Sequence, residues 1–298
     1  MTEIIMENNM LTQSKFDIRK RRFKECFNIL LKNKAAVVGL AIIILVILAA
    51  LFANIIMPYD PYSANMSQSL QGPSSKHLLG TDELGRDILS RIIIGARISM
   101  RVGITAVAIA LSIGTVFGSI SGYYGGKIDL VIMRLMDIIL AFPSLLLAIA
   151  FMSALGKGID KAVIAISIVT IPEYARIVRG SVLSVKESEY IQAAKVIGNS
   201  DGAIIFKHIL PNILSPIIVR GTLGISTAII ETAALGFLGL GVQPPYAEWG
   251  SMLGSGRGYF NNAPHLVVFP GVAITITVLA FNLFGDGLRD ALDPKLRN

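Results

Sequence analysis

Cysteine is almost absent from this 298-residue chain, with Cys26 alone, and the three histidines His77, His208 and His265 stand far apart. One thiol excludes a disulfide framework, and histidines without ligand spacing make no metal site. No metal and no cofactor is therefore expected. The nucleotide-binding pattern Gly-x-x-x-x-Gly-Lys-Ser/Thr occurs nowhere, because Gly126-Lys127 and Gly156-Lys157 lack both the upstream glycine and the following hydroxyl residue. With no nucleophile constellation either, a non-catalytic protein is expected. Charge is scarce: 16% of residues are charged, against about a quarter in a soluble domain. The net charge of +7 does not point to nucleic acid, since the basic residues sit in short stretches between apolar runs.

What fills the chain instead is apolar sequence, 53% of residues. Residues 35–57 run for 23 positions without a charge, and about 20 such residues cross a bilayer core. The run is too long for the apolar region of a signal peptide. Five more spans follow at about 102–124, 132–155, 162–178, 213–235 and 267–288, the fourth broken near Pro172. The fold class expected is an all-α membrane protein of six transmembrane helices. Lysines and arginines outside the spans collect on the side of the N-terminus, which places both termini in the cytoplasm. Residues 1–34 form a basic tail suited to anionic lipid heads, residues 58–97 an external segment, and residues 289–298 a second cytoplasmic tail. Arginines crowding the start of the second span fit an interfacial helix. Gly114, Gly118 and Gly122 lie on one helix face and let another helix approach. Pro143 and Pro172 should kink or interrupt their helices.

The longest polar stretch on the cytoplasmic side, residues 180–211, reads as two short helices. Ser184 and Glu187 have capping-box spacing, and Tyr190, Ala193, Ala194 and Ile197 form one apolar stripe. Gly198 is placed to end that helix, and Ser200 or Asp201 to cap a second that runs into Leu210 and Pro211. The pattern suits a knob docking into a partner's groove and, equally, an amphipathic hairpin on lipid. Ionisable residues inside spans are pathway candidates: Glu173, which could pair with Arg176 or Arg220, then Arg220 itself and Glu231. Outside, Pro244, Tyr246 and Trp249 suit an external gate, a protein contact or an interfacial anchor.

The segment EYIQAAKVIGNSDGAIIFKHILPN, residues 189–212, resembles the EAA loop of binding-protein-dependent ABC importer permeases, with Ala193, Ala194, Gly198, Leu210 and Pro211 matching. The acidic residue that names the loop is Gln192 here. Four further segments resemble the C-type permease of dipeptide, oligopeptide and nickel importers. They are PYDPYSANM, HLLGTDELGRDILSRIIIGARISM, GFLGLGVQPPYAEWGSML and FNLFGDGLRDALDP. The resemblance implies the ABC importer type I transmembrane fold over residues 98–288, with one extra N-terminal helix. It also implies a second permease subunit, two cytoplasmic ATPase subunits that dock on the loop from Tyr190 to Pro211, and an external solute-binding protein. The location implied is a prokaryotic inner membrane. The solute implied is a peptide, a nickel chelate or a glutathione-like molecule.

Overall fold

The computed structural model describes residues 25 and 27–292. Most of the basic tail and residues 293–298 lie outside the described residues. Within them there is no strand beyond one isolated bridge, Thr81 to Asp87. Nine helices carry the architecture: α1 (Lys34–Leu51), α2 (Ile88–Tyr124), α3 (Gly126–Leu140), α4 (Ser144–Leu155), α5 (Ile159–Lys186), α6 (Glu189–Val196), α7 (Leu214–Phe237), α8 (Trp249–Gly256) and α9 (His265–Leu292).

Local chemistry sets the helix starts. The Asn33 side chain accepts from the Ala36 N–H at 3.2 Å to cap α1, and Asp87 accepts from the Ser90 N–H at 2.8 Å to cap α2. Packing sets how they meet. A Cβ at Gly114, Gly118 or Gly122 would fall 2.4–2.8 Å from atoms of Tyr174, Ala175, Val178 or Val182. The predicted glycine face is thus where α2 and α5 run side by side. Gly39 of α1 meets the backbone of α9 in the same way, 2.6 Å from the Ala280 carbonyl.

These contacts define two ends. At one end, the cap, residues 58–87 and the α7–α9 connection with α8 gather around Ile88, Ile94, Trp249 and Leu266. At the other, residues 187–213 pack Ile191, Ala194, Ile204 and Ile209 against Val178 and Val182 of α5. Asn33 lies beside Gly287, so the described chain begins and ends at this second, loop end. Between the ends a core of small and branched residues, among them Ala106, Ala110, Ala165, Ile166 and Val169, joins α2, α4, α5 and α7.

Among the described residues four helices, α1, α2, α7 and α9, are long and apolar enough to cross a membrane. α3 with α4, bent by 90° at their break, is a broken span or a re-entrant loop that counts as a fifth when taken as one span. The break at Pro143 is as expected. Pro172 is not: α5 runs through it without interruption. One missing N–H costs a single helix bond, and Tyr174 and Ala175, the residues just beyond, are locked into the glycine face of α2. α5, the expected fourth span, carries Lys161, Glu173, Arg176 and Arg179 and is too polar to count with them, so four such helices, or five with the bent pair, stand against the six expected. The second span also starts earlier than expected, at Ile88. Of the arginines there, Arg86 and Arg91 are buried in the cap, while Arg97 is half-buried and Arg101 exposed.

Candidate functional site

At the loop end, α5 extends to Lys186, so the Ser184–Glu187 pair closes one helix instead of opening another. The Ser184 hydroxyl donates to the Ser181 carbonyl at 2.7 Å, and Glu187 is the residue at which α5 stops. α6 starts after Ser188. Gly198 ends it at φ +88°, with its N–H on the Lys195 carbonyl at 2.9 Å and the Asn199 N–H on the Ala194 carbonyl at 3.2 Å. The Ser200 hydroxyl then accepts from the Ala203 N–H at 3.4 Å. A wide helical turn, Ile204–Ile209, leads into Leu210–Asn212 at the foot of α7. Pro211 is exposed and Leu210 half-buried. The Tyr123 hydroxyl at the end of α2 donates to Asp201 at 2.7 Å and Lys195 lies over its ring, which moors the knob to the bundle.

The expected stripe is corrected in detail. Ile191 and Ala194 turn inward, while Tyr190 and Ala193 are exposed, Val196 is 87% exposed, Ile197 80% and Phe206 69%. α6 has apolar residues on two faces, and periodicity alone does not say which one meets the core. The outward face is a cluster of large apolar side chains on a rigid, hydrogen-bonded knob, the kind of surface that marks a contact site. Gln192 is exposed, and its amide donates at 3.4 Å to the Lys186 carbonyl.

Within the bundle, Arg220 of α7 forms an ion pair with Glu173 of α5. Its Nε is buried without a partner, and Arg220 also lines a cleft of about 420 Å³ with Pro216, Leu223 and Arg289. Arg176 pairs with Asp137 at 2.8 Å instead of with Glu173. Glu231 is buried further along α7 towards the cap, beside Ser144 at the start of α4, with one carboxylate oxygen unpartnered. The structure thus brings Glu173 and Arg220 together and leaves Glu231 at the break between α3 and α4.

The cap holds residues that sequence reasoning passed over. Asp82 receives Arg86 Nε at 2.7 Å and lies 3.3 Å from Arg91 Nε. Arg91 also donates to the Pro61 carbonyl at 2.9 Å. His77 is buried with Nδ1 3.0 Å from Asp87 and Nε2 3.3 Å from Gln68. Glu248 accepts from the N–H groups of Gly250 and Ser251 at 2.9 and 2.8 Å and from the Ser99 hydroxyl at 3.1 Å. Its complete burial pushes the carboxyl above its usual range, against those hydrogen bonds. The signal was present in Asp82 and Arg86, an i, i+4 pair of opposite charge. Of the external candidates, Trp249 is buried, its indole N–H donating to the Ile92 carbonyl at 3.0 Å. It anchors α8 to α2. Pro244 and Tyr246 line a cavity in the cap.

Comparison with known proteins places this architecture. Residues 22–73 match the N-terminal TM domain of oligopeptide transport permease C. The chain is 54% identical over 276 residues to the dipeptide transport system permease protein DppC of Alkalihalophilus pseudofirmus, covering 93% of this chain and 91% of that one. It is 47% identical over 277 residues to the glutathione transport system permease protein GsiD of Pectobacterium atrosepticum, covering 93% and 92%. Among solved structures, the methionine ABC transporter MetNI in an inward-facing conformation aligns with a TM-score of 0.56 at 18% identity, over 68% of this chain and 97% of that chain. That likeness concerns the fold. Residues 114–298 match the family described as binding-protein-dependent transport system inner membrane component, and to that family of ABC importer permease subunits the chain belongs.

Proposed function

We propose that the chain is the C-type half of a two-permease pore that imports dipeptides and oligopeptides handed over by an external solute-binding protein. The loop end faces the cytoplasm, with both termini, and two ATPase subunits dock there. The observation that carries the reading is the knob of residues 187–211. It shows Tyr190, Val196, Ile197 and Phe206 to its surroundings on a frame hydrogen-bonded to α5 and moored to α2. An apolar helix presented in this way fits a groove in a partner. ATP hydrolysis belongs to the partners, and the permease itself is not an enzyme.

The mechanical link follows from the packing. The inward face of the knob sits on the last turns of α5 and the first turn of α7 through Val182, Ile191, Ile209, Ile213 and Ile217. A docked ATPase that shifts the knob shifts those two helices, and the Glu173–Arg220 pair ties them together one level deeper. Two packings biased by nucleotide and by binding protein give alternating access. Glu173, Arg220 and Glu231 lie along that route as pathway residues.

The dipeptide reading is supported by relatives whose names specify dipeptides, and a glutathione-like solute is the second reading, supported by the 47% identity to GsiD. Uptake of labelled dialanine and of glutathione by cells expressing the chain with its neighbouring subunits separates them. Solute movement by the purified chain alone in liposomes, without ATPase partners, would contradict the importer reading and favour an ATP-independent transporter. An Arg220→Gln variant should lower transport while leaving expression and assembly unchanged. Unaltered transport would remove Arg220 from the pathway.

A further inference from the structure

The cap contains a cavity of about 310 Å³ between residues 83–91, the turn after α7 and the far side of α8. That volume is in the range of small-molecule sites. Three guanidinium groups line it, Arg86, Arg91 and Arg257, with Glu83, Gln243 and Tyr246. Arg86 and Arg91 are only 7% and 5% exposed. Both are fixed from behind by Asp82, and Arg86 also lies 3.3 Å from Glu83. Arg257 comes from the end of α8, exposed, over the ring of Phe237. Three arginines against Asp82 and Glu83 leave one positive charge uncompensated.

Asp82 and Glu83 already answer the two buried arginines, so the charge left over is that of the exposed Arg257, whose guanidinium fork suits a carboxylate. The cavity closes against the end of α7 and the Pro244–Tyr246 turn, which on the importer reading is the external end of the bundle. We propose that this cavity is a receiving site for the free carboxylate of a small solute, with Arg257 as the movable arm and Glu83 positioned for the solute's ammonium group. The proposal rests on the importer reading for its biological role, but the binding chemistry stands apart from it.

Two experiments test it. In the first, saturation-transfer NMR is recorded on the purified full chain in detergent, with dialanine and with dialanine amide. Transfer to dialanine should exceed transfer to the amide about tenfold, the worth of one charge-assisted hydrogen bond. Arg257→Gln should lose that preference and Arg257→Lys should keep part of it. Equal transfer to both probes, or a preference untouched by Arg257→Gln, would overturn the proposal. In the second, uptake of both probes is measured in cells carrying the complete importer. A solute site predicts that Arg257→Gln lowers dialanine uptake and spares the amide. If both fall together, the arginines serve an acidic surface of a partner protein and the proposal is wrong. If the unaltered importer moves neither probe while the NMR preference holds, the importer reading fails and the site survives.

Discussion

The two ends of the bundle solve the same problem, ordering a polar excursion between crossings, with opposite chemistry. The cap buries charge. Asp82, Arg86, Arg91, Asp87, His77 and Glu248 are all removed from solvent, and each has named partners within hydrogen-bonding distance. The loop end buries isoleucine, alanine and valine, and leaves its tyrosine, phenylalanine and remaining valine and isoleucine outside. Buried, fully satisfied polar networks fix one conformation, because any slip strands an unpaired charge. An apolar knob needs only shape and tolerates displacement as a unit. The difference separates a cap held in one conformation by its polar network from a knob that turns large apolar side chains outward.

The strongest way to break this contrast is Asp82→Ala. It strands Arg86 and Arg91 and should cost the cap about 3–5 kcal/mol. Thermal unfolding of the purified chain, followed by Trp249, the only tryptophan, reads it directly. A melting curve matching wild type would mean the cap is not held by its polar network. At the loop end, Ile197→Asp should leave that curve within about 0.5 kcal/mol, since the side chain is already in solvent. Capture of the ATPase subunit in a detergent pull-down should nevertheless fall at least about tenfold, as for a hot spot of roughly 2 kcal/mol. A substitution that destabilises the chain instead would make Ile197 part of the fold.

Glu248→Gln sharpens the comparison from the cap side. An amide has one acceptor oxygen where Glu248 uses both, so about 1–2 kcal/mol of stability should be lost at neutral pH. The pH dependence has a definite sign. Burial raises the folded-state pKa of Glu248, so the native state binds its proton more tightly than the unfolded chain. Stability from this group is therefore fullest below the unfolded value of about 4.3, and falls as pH rises through the raised folded value. The wild-type advantage over Glu248→Gln should shrink across that window. An advantage that grows with pH would contradict the raised value. The smallest effect belongs to Gln192→Glu. It brings a second carboxylate towards Glu187, 3.5 Å from the Gln192 amide, and should change stability by only a few tenths of a kcal/mol.

Much of this was legible in the residues. Residues 213–235 and 267–288 were placed within a few positions of α7 and α9, because apolar runs bounded by charge have only one reading in a bilayer. The Gly114–Gly118–Gly122 face was legible because a missing Cβ on one face has a steric consequence and little else. Pro172 misled, since propensity is weaker than a helix interface that locks the residues beyond it. The capping-box pattern at Ser184 misled because Ser-x-x-Glu does not state whether a helix is already in progress. The cap was opaque for a different reason. His77 and Asp87 are local, but Glu248 meets Ser99 across 149 positions, and Trp249 meets Ile92 across 157. No periodicity encodes such pairs. The matched loop residues Ala193, Ala194, Gly198, Leu210 and Pro211 named the loop, while only the structure showed that Val196 and Phe206 share its outward surface.

The claim on which the account turns is that the outward face of the knob is a docking surface for an ATPase. With Cys26 replaced by serine, a photo-crosslinker attached at Ile197→Cys in the complete importer tests it in place. The account predicts a crosslinked product containing the ATPase subunit, with a yield that changes with bound nucleotide. Crosslinks to lipid alone, with no ATPase product in any nucleotide state, would contradict it.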